Sequence, residues 1–288
     1  MVQSHPAVRS LPRRKVAVIT RTRERALLLQ RAKASILAQT HKDFLWVIVN
    51  DGGAHDPVDA VAADACKQGC NAVALHLPHQ SGMEFASNHG IKSCKSDFLA
   101  IHDDDDAWHP DFLKTLVAAL EEKPNWLGAV CRVEQVTERI ENNAIIEIER
   151  TVFMPWVRAL YLIDMLQQNL FPPIALLFRR SAYNKVGGFD AELPVLGDWD
   201  FHIRLLRRGD IGLIDHRLAT YHLRHQKGTD GNTVTSQQEL HAEIDAMIRN
   251  KWLRHDLDSG RFGLGSLVSL ARQHNAMWRF LYQLTAKK

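Results

Sequence analysis

The sequence has few cysteines and no long apolar run. Its four cysteines show no paired CxxC spacing. Cys66 and Cys70 stand four residues apart without a second half-site, so we expect no zinc site, and the thiols are expected to be reduced, as in the cytosol. No segment approaches the roughly 18 apolar residues of a membrane span. The basic N-terminus has no apolar core behind it, so we predict no secretory signal.

The sequence also lacks a strong charge of either sign. Its 36 basic and 33 acidic residues give a formal net charge of +3 over 288 residues. That excess is too small to indicate nucleic-acid binding, and no nucleic-acid partner is predicted. With 45% hydrophobic and 24% charged residues, the composition is that of an ordinary globular protein.

Four consecutive aspartates, Asp103 to Asp106, are the most unusual feature present. The mostly apolar segment 97–101 before them has the pattern of a buried strand, and a helix is predicted to start near Pro110. Four crowded carboxylates repel one another unless a cation or a network of donors compensates. A solvated, acidic helix start accounts for one or two of them. A metal site is the alternative, and the stretch alone does not decide between the two.

Strand-like and helix-like segments alternate through the first 125 residues. Strands are predicted at 15–20, 44–50, 72–77 and 97–102, and helices at 24–39, 58–67, 84–94 and 110–122. This rhythm predicts an α/β fold, with a mostly parallel, Rossmann-like sheet flanked by helices. Ligands bind beyond the carboxyl ends of such strands. Asp51, which follows the second strand, is therefore expected to share one cleft with the aspartates.

The second half of the chain is less regular. Strands are predicted at 128–136 and 144–150, as a hairpin across Asn142-Asn143, and at 213–221, and helices at 199–207 and 236–252. A short apolar run at 174–178 follows two prolines. We divide the chain into a flexible N-terminal arm (1–14), a domain (15–230) with halves 15–125 and 126–230, and a C-terminal helical extension (231–288). The aromatic and basic residues of the extension suit packing either on the domain or on an anionic membrane surface.

Four segments resemble the family 2 glycosyltransferases of the GT-A fold, over residues 15–230. They are VAVITRTRER, VIVNDGG, FLAIHDDDDAWHPDFL and VGGFDAELPVLGDWDFHIRLLRRG. No single motif is decisive, but all four occur in order at predicted strand ends or helix starts. The resemblance implies an inverting transfer from a nucleotide-diphosphate sugar to a hydroxyl of a glycan or lipid-linked acceptor, assisted by Mn²⁺ or Mg²⁺. It also implies a cytoplasmic enzyme of bacterial surface polysaccharide assembly. Peripheral membrane contact is predicted separately, from the aromatic and basic residues of the C-terminal segment.

The resemblance implies roles for individual residues. The nucleotide-sugar-binding residues would be Thr22, Arg25, Asp51, Asn88, Asp103 and Asp104. Asp105 would bind the metal together with His225, or with His222 instead. Asp198 would be the general base that takes the acceptor proton, although a helix N-cap is a competing interpretation. Asp106 and Trp108 are expected to hold the turn and pack the helix start.

The sequence departs from the family pattern at two charged positions. Ser87 stands where the pattern Ala-Arg-Asn-x-Gly has arginine, and Gly197 stands where a Glu-Asp pair has glutamate. A guanidinium from Arg21 or Arg25 is expected to compensate for the missing arginine near the diphosphate.

Two other functions stay open at this point. A nucleotidyltransferase also uses acidic metal sites on a doubly wound sheet, but it is expected to carry a Gly-rich phosphate loop, and ITRTRERA contains no glycine. A catalytically silent GT-A module that binds a glycan or a partner is the other alternative. The substitutions at Ser87 and Gly197 keep that alternative open.

Overall fold

The computed structural model describes residues 11–142, 144–225 and 231–273. Within these residues, nine strands form one sheet and helices cover it. The strands are β1 (Arg14–Thr22), β2 (Phe44–Asp51), β3 (Ala72–Leu77), β4 (Ser96–Ile101), β5 (Ala107–Trp108), β6 (Gly128–Glu141), β7 (Ala144–Val152), β8 (Leu176–Arg179) and β9 (Ile211–Leu223). The helices are α1 (Ala26–Leu37), α2 (Asp56–Lys67), α3 (Met83–Ser93), α4 (Phe112–Glu122), α5 (Leu162–Gln167), α6 (Arg180–Val186), α7 (Gly197–Leu206), α8 (Thr233–Ser236) and α9 (Gln238–Ser259).

The first half has the predicted parallel architecture. Strands β3, β2, β1 and β4 lie side by side in that order, all parallel. Every residue of β2 is buried, which explains its near-continuous apolar run, because a strand covered on both faces has no solvent-facing position. The carboxyl ends of β1, β2 and β4 lie at one edge of the sheet, as predicted for Asp51 and the aspartates.

The second half of the sheet is mixed. Strand β8 runs antiparallel to both β4 and β6, and β9 runs parallel to β6. The predicted hairpin across residues 142–143 is present, since Glu141 of β6 pairs with Ala144 of β7. Helix α9 extends past the predicted end at residue 252 and stops at Gly260, whose φ of +62° is the left-handed conformation that commonly ends helices.

The turn that carries the aspartates is anchored on both sides. Trp108 stacks on Phe112 with ring centroids 4.1 Å apart, and its indole N–H donates to the Ile174 carbonyl over 2.7 Å. Asp106 accepts the backbone N–H of His222 over 2.8 Å. These contacts confirm the expected packing and turn-holding roles of Asp106 and Trp108.

The described part of the C-terminal extension packs on the domain. Arg249 of α9 is buried and donates to the carbonyls of Leu166 (3.0 Å) and Val268 (3.2 Å). Its guanidinium also lies 4.8 Å from the ring centroid of Trp199. Residues 274–288 lie outside the described residues, so contact of that segment with a membrane stays a prediction. No helix in the described ranges is both long and apolar enough to cross a membrane.

The buried Arg249 should hold the extension against the domain. Arg249→Ala would leave buried carbonyls without their donor, so we expect the free energy of unfolding to fall by about 2 kcal/mol. Arg254→Ala removes an exposed guanidinium from the same helix and should change it by less than about 0.5 kcal/mol. Denaturant unfolding of the two variants measures the difference. Equal stabilities would show that Arg249 does not hold the extension.

Candidate functional site

Arginines from three different segments neutralise the aspartate cluster. Arg21 comes from β1, Arg25 precedes α1, and Arg224 follows β9. The pairs are Arg21 with Asp103 (Nε to Oδ1, 3.0 Å), Arg25 with Asp104 (3.2 Å) and Asp105 (3.3 Å), and Arg224 with Asp105. A network of donors therefore compensates three of the four carboxylates, one of the two solutions that their repulsion requires, and Asp106 accepts the backbone N–H of His222 instead.

A buried glutamate accepts hydrogen bonds from two arginines beside the aspartates. Glu138 of β6 is only 3% exposed and accepts hydrogen bonds from Arg31 (3.0 and 2.8 Å) and Arg224 (2.6 Å). Arg31 also donates to the backbone carbonyl of Asp105 over 2.6 Å. No role was predicted from the sequence for Glu138, Arg31 or Arg224. One signal was available: Glu138 shares its strand face with the buried Val136, and a buried carboxylate requires a partner.

The environment divides the charge unequally among the aspartates. Burial raises the pKa of Asp104 to about 7, although Arg25 opposes the effect. Burial and the charge on Asp105 raise the pKa of Asp106 well above its usual range. Burial acts on Asp105 in the same direction, but Arg224 and Arg25 outweigh it and lower its pKa. Asp105 therefore stays ionised while its two neighbours hold protons more readily.

The residues present suit a divalent cation only if the diphosphate of a bound nucleotide sugar supplies some of the ligands. Among the described residues, no three histidine, cysteine, aspartate or glutamate side chains converge on one metal position. Asp105 contacts arginines, and His225 is exposed. The Nδ1 atom of His222 is buried without a hydrogen-bond partner and lies 3.7 Å from Asp106 Oδ1. Mg²⁺ and Mn²⁺ commonly take one or two carboxylates together with diphosphate oxygens, and the carboxylates present suit that mode.

Asp198 lies at the start of α7, beyond a strained residue. Leu196 is the N-cap and has a φ of +63°, a conformation that costs a residue with a side chain about 1–2 kcal/mol. Such strain often marks functional sites. The competing interpretation of Asp198 as the N-cap is wrong, because the helix begins at Gly197 and Asp198 is its second residue.

A chain of polar groups orients the Asp198 carboxylate. Asn169 donates from Nδ2 to Asp198 Oδ2 over 2.7 Å, and its Oδ1 lies 3.1 Å from Nδ1 of His202. Because that amide oxygen only accepts, Nδ1 of His202 must carry the hydrogen. Burial lowers the pKa of His202 to about 3, so the ring stays neutral. Burial also raises the pKa of Asp198, and the nearby Asp103 adds to the shift.

Other predicted site residues hold loops. Asp51 accepts the backbone N–H groups of Ser81 (2.7 Å) and Gly82 (3.0 Å), which fixes the entry to α3. Asn88 donates to the Phe189 carbonyl over 2.8 Å and accepts the Tyr183 hydroxyl over 2.6 Å. The amide of Asn88 therefore holds the loop before α7 in place.

Residues on both sides of the predicted domain boundary at residue 230 form the cluster. Thr22 hydrogen-bonds to Asp104. Asn232 donates to Asp105 over 3.3 Å, and Arg25 donates to the Gly231 carbonyl over 2.6 Å. The site thus includes the first residues of the predicted extension.

The fold and the acidic cluster at its strand ends define a glycosyltransferase of the GT-A type. The model of the family described as Glycosyl transferase family 2 matches residues 16–187, and the chain belongs to this family. It is 25% identical over 193 residues to the uncharacterized glycosyltransferase YwdF of Bacillus subtilis, covering 66% of this chain and 67% of that protein. It is 28% identical to the pre-mycofactocin glycosyltransferase of Mycobacterium tuberculosis, covering 92% of this chain and 58% of that protein.

Solved structures share the fold at low sequence identity. S. aureus TarS 1–349 in complex with UDP-GlcNAc has a TM-score of 0.60 and 16% identity, over 76% of this chain and 61% of that chain. The mannosyltransferase PcManGT of Pyrobaculum calidifontis, in complex with GDP-Man and Mn²⁺, also has a TM-score of 0.60, with 15% identity over 91% of this chain and 70% of that chain. The chain therefore spans less than two thirds of the TarS structure.

Glu138 should be essential for the stability of the cluster. Glu138→Ala would leave the buried Arg224 and the half-buried Arg31 without their shared carboxylate, so we expect a loss of about 3–5 kcal/mol in the free energy of unfolding. Glu141→Ala is the matched control on the same strand, because Glu141 is 52% exposed in its pair with Arg139. It should cost less than about 1 kcal/mol. Denaturant unfolding decides, and a Glu138→Ala protein as stable as the control would contradict the network.

Proposed function

We propose that the protein transfers a sugar from a nucleoside-diphosphate sugar to a hydroxyl group of a glycan or lipid-linked acceptor, with inversion at the anomeric carbon. The observation that carries the proposal is the placement of Asp198, an oriented carboxylate close enough to Arg21 and Asp103 for their charges to shift its pKa. The proposed base is thus close to the proposed donor-binding cluster. TarS and PcManGT, which share the fold, hold UDP-GlcNAc and GDP-Man.

In this proposal Asp198 removes the acceptor proton as the acceptor oxygen attacks. The new bond forms between that oxygen and the anomeric carbon, and the bond from that carbon to the diphosphate breaks. The proton ends on Asp198, and the nucleoside diphosphate leaves with the bonding electrons. A raised pKa makes the carboxylate a stronger base near neutral pH. The hydrogen bond from Asn169 fixes the direction in which the carboxylate faces.

Arginines are proposed to bind the diphosphate. The guanidinium of Arg21 lies 3.3 Å from the hydroxyl of Ser87, the position at which the family pattern has an arginine. Arg21 therefore brings the missing guanidinium to the same place from β1, and Arg25 lies beside it on Asp104. Planar guanidinium groups match paired phosphate oxygens well. The other residues proposed to bind the nucleotide sugar are Thr22, Asp51, Asn88, Asp103 and Asp104.

A divalent cation, Mn²⁺ or Mg²⁺, completes the proposed site. Asp105 would hold it, with His225 or His222 as a second ligand. Bound there, the cation neutralises the leaving diphosphate, and this chemistry is worth several kcal/mol of transition-state stabilisation. Assembly of a surface polysaccharide or glycolipid is the setting proposed from the family resemblance, and membrane contact is proposed from the aromatic and basic residues of the C-terminal segment.

The base assignment predicts a large loss of transfer on Asp198→Asn. Asparagine keeps the size of the side chain but cannot take a proton, so the transfer rate should fall about 10²- to 10⁴-fold while nucleoside diphosphate affinity is retained. Glu192→Gln, which neutralises an exposed carboxylate before the same helix, is the control. Wild-type transfer by the Asp198→Asn variant would place the base elsewhere. Absence of transfer by the wild type with UDP- and GDP-sugars and a panel of acceptors would favour the silent module.

The same assignment predicts the acid limb of the pH–rate profile. Only ionised Asp198 acts as a base, so transfer is lost as the pH falls through its raised pKa, above the ordinary aspartate value of about 3.9. Asn169 donates a hydrogen bond that lowers this pKa. Asn169→Leu should therefore move the acid limb of kcat/KM to higher pH. An acid limb at an unchanged pH would show that Asn169 does not affect the pKa of the titrating group.

The cation assignment predicts that nucleoside diphosphate affinity depends on Mn²⁺ through Asp105. In calorimetric titrations of UDP and GDP, Mn²⁺ should tighten binding to the wild type. In Asp105→Asn, the increase in affinity that Mn²⁺ causes should be at least about tenfold smaller, since a neutral amide is a poorer ligand for a hard cation. Titrations without Mn²⁺ and thermal unfolding of the variant are the controls. An unchanged gain in a folded Asp105→Asn variant would exclude Asp105 as the ligand.

A further inference from the structure

The side chain of Glu84 occupies the space beside Gly197. A Cβ atom added to Gly197 would lie 2.5 Å from Cγ, Cδ and Oε1 of Glu84. Real Cβ atoms do not approach other atoms so closely, so no larger residue fits at position 197 while Glu84 stays where it is. A carboxyl group from α3 thus fills the space in which the side chain of residue 197 would stand, directly before Asp198.

Glu84 is also deeply buried, which requires an explanation. It is 4% exposed, in the first turn of α3. An acidic residue at a helix start is favourable, but an exposed one serves that purpose without losing its hydration. Replacing a buried charged pair by apolar side chains is often neutral or stabilising. The burial of Glu84 is therefore poorly explained by stability alone.

The partner of Glu84 is Arg21, which also contacts the aspartate cluster. Nη1 of Arg21 lies 3.5 Å from Oε2 of Glu84, and Nε of the same guanidinium donates to Asp103 over 3.0 Å. Glu84 and Asp103 therefore hold one guanidinium between them. The negative charge of Asp198 also acts on Arg21, so the proposed base is close enough to this guanidinium for their charges to interact.

We propose that Glu84 is a positioning residue for sugar transfer, which supplies from α3, beside Gly197, the carboxylate that holds Arg21 against Asp103. The inference rests on the proposed function. It explains both departures from the family pattern as one exchange: the guanidinium comes from Arg21 instead of position 87, and the carboxylate comes from Glu84 instead of position 197. The two displaced groups lie 3.5 Å apart, and burial raises the pKa of Glu84 to about 7 although Arg21 opposes the shift.

The exchange is tested by moving the carboxylate back to α7. Gly197→Glu alone should lower the Tm, because the added side chain overlaps Glu84. In the Glu84→Ala background the space is empty, so the same substitution should change the Tm by much less. A coupling of this kind is expected for residues in contact. Equal Tm changes in the two backgrounds would show that a side chain at position 197 does not compete with Glu84 for the same space.

Transfer kinetics test the role of the carboxylate. Glu84→Gln, which keeps the volume and removes the charge, and Glu84→Ala should each lower kcat/KM at least about tenfold, a loss of about 1.4 kcal/mol. Glu84→Ala combined with Gly197→Glu should recover to within about threefold of the wild type, a recovery that a packing role would not give. Full activity of Glu84→Gln, or no recovery in the double variant, would overturn the proposal.

The two readouts separate this inference from the proposed function. Coupled Tm values together with a wild type that never transfers sugar would contradict the proposed function and, with it, the role of Glu84 in transfer. A wild type that transfers sugar, with an inactive double variant, would contradict the inference alone.

Discussion

The site depends on one electrostatic constraint, the repulsion among four consecutive aspartates at the end of a buried strand. The structure meets it with arginines from β1, from the start of α1 and from the end of β9, and Glu138 holds two arginines of the network in turn. Segments that are 79 to 119 residues apart in sequence are therefore fixed against one another by charge. The same contacts keep Asp105 ionised and bring Arg21 close to Asp198. The architecture of the cleft follows from this neutralisation.

Much of the fold could be predicted from the sequence, because local patterns encode it. The unbroken apolar run of β2 and the turn residues around residues 142–143 depend only on neighbours in sequence, and both predictions are confirmed. Family membership was equally accessible, because four ordered motifs carry it. The partners of the aspartates were not accessible. Arg31 and Arg224 contact Glu138 across separations of 107 and 86 residues, and nothing in a charged residue's own segment identifies its partner.

A family pattern that is compared one position at a time does not reveal charged groups that neighbouring elements bring to the same place. Ser87 and Gly197 each suggested a lost function. In three dimensions, Arg21 lies against Ser87 and Glu84 lies against Gly197, so both charged groups are present from neighbouring elements. A long charged side chain reaches a given point from more than one backbone position. Under the proposed exchange, the two departures from the family pattern no longer favour the silent module.

The central claim is that this arginine-lined acidic cluster binds a nucleoside diphosphate with a cation. The most direct measurement is the Tm of the full chain with each of UDP, GDP, ADP and CDP, with and without Mn²⁺. A ligand that binds only the folded state at about 100 times its Kd adds about 2.7 kcal/mol to the free energy of unfolding, so a true ligand raises the Tm clearly. We expect one nucleoside diphosphate to do so, and to do so more strongly with Mn²⁺. If none of the four changes the Tm at millimolar concentration under either condition, the cluster is not a nucleotide site.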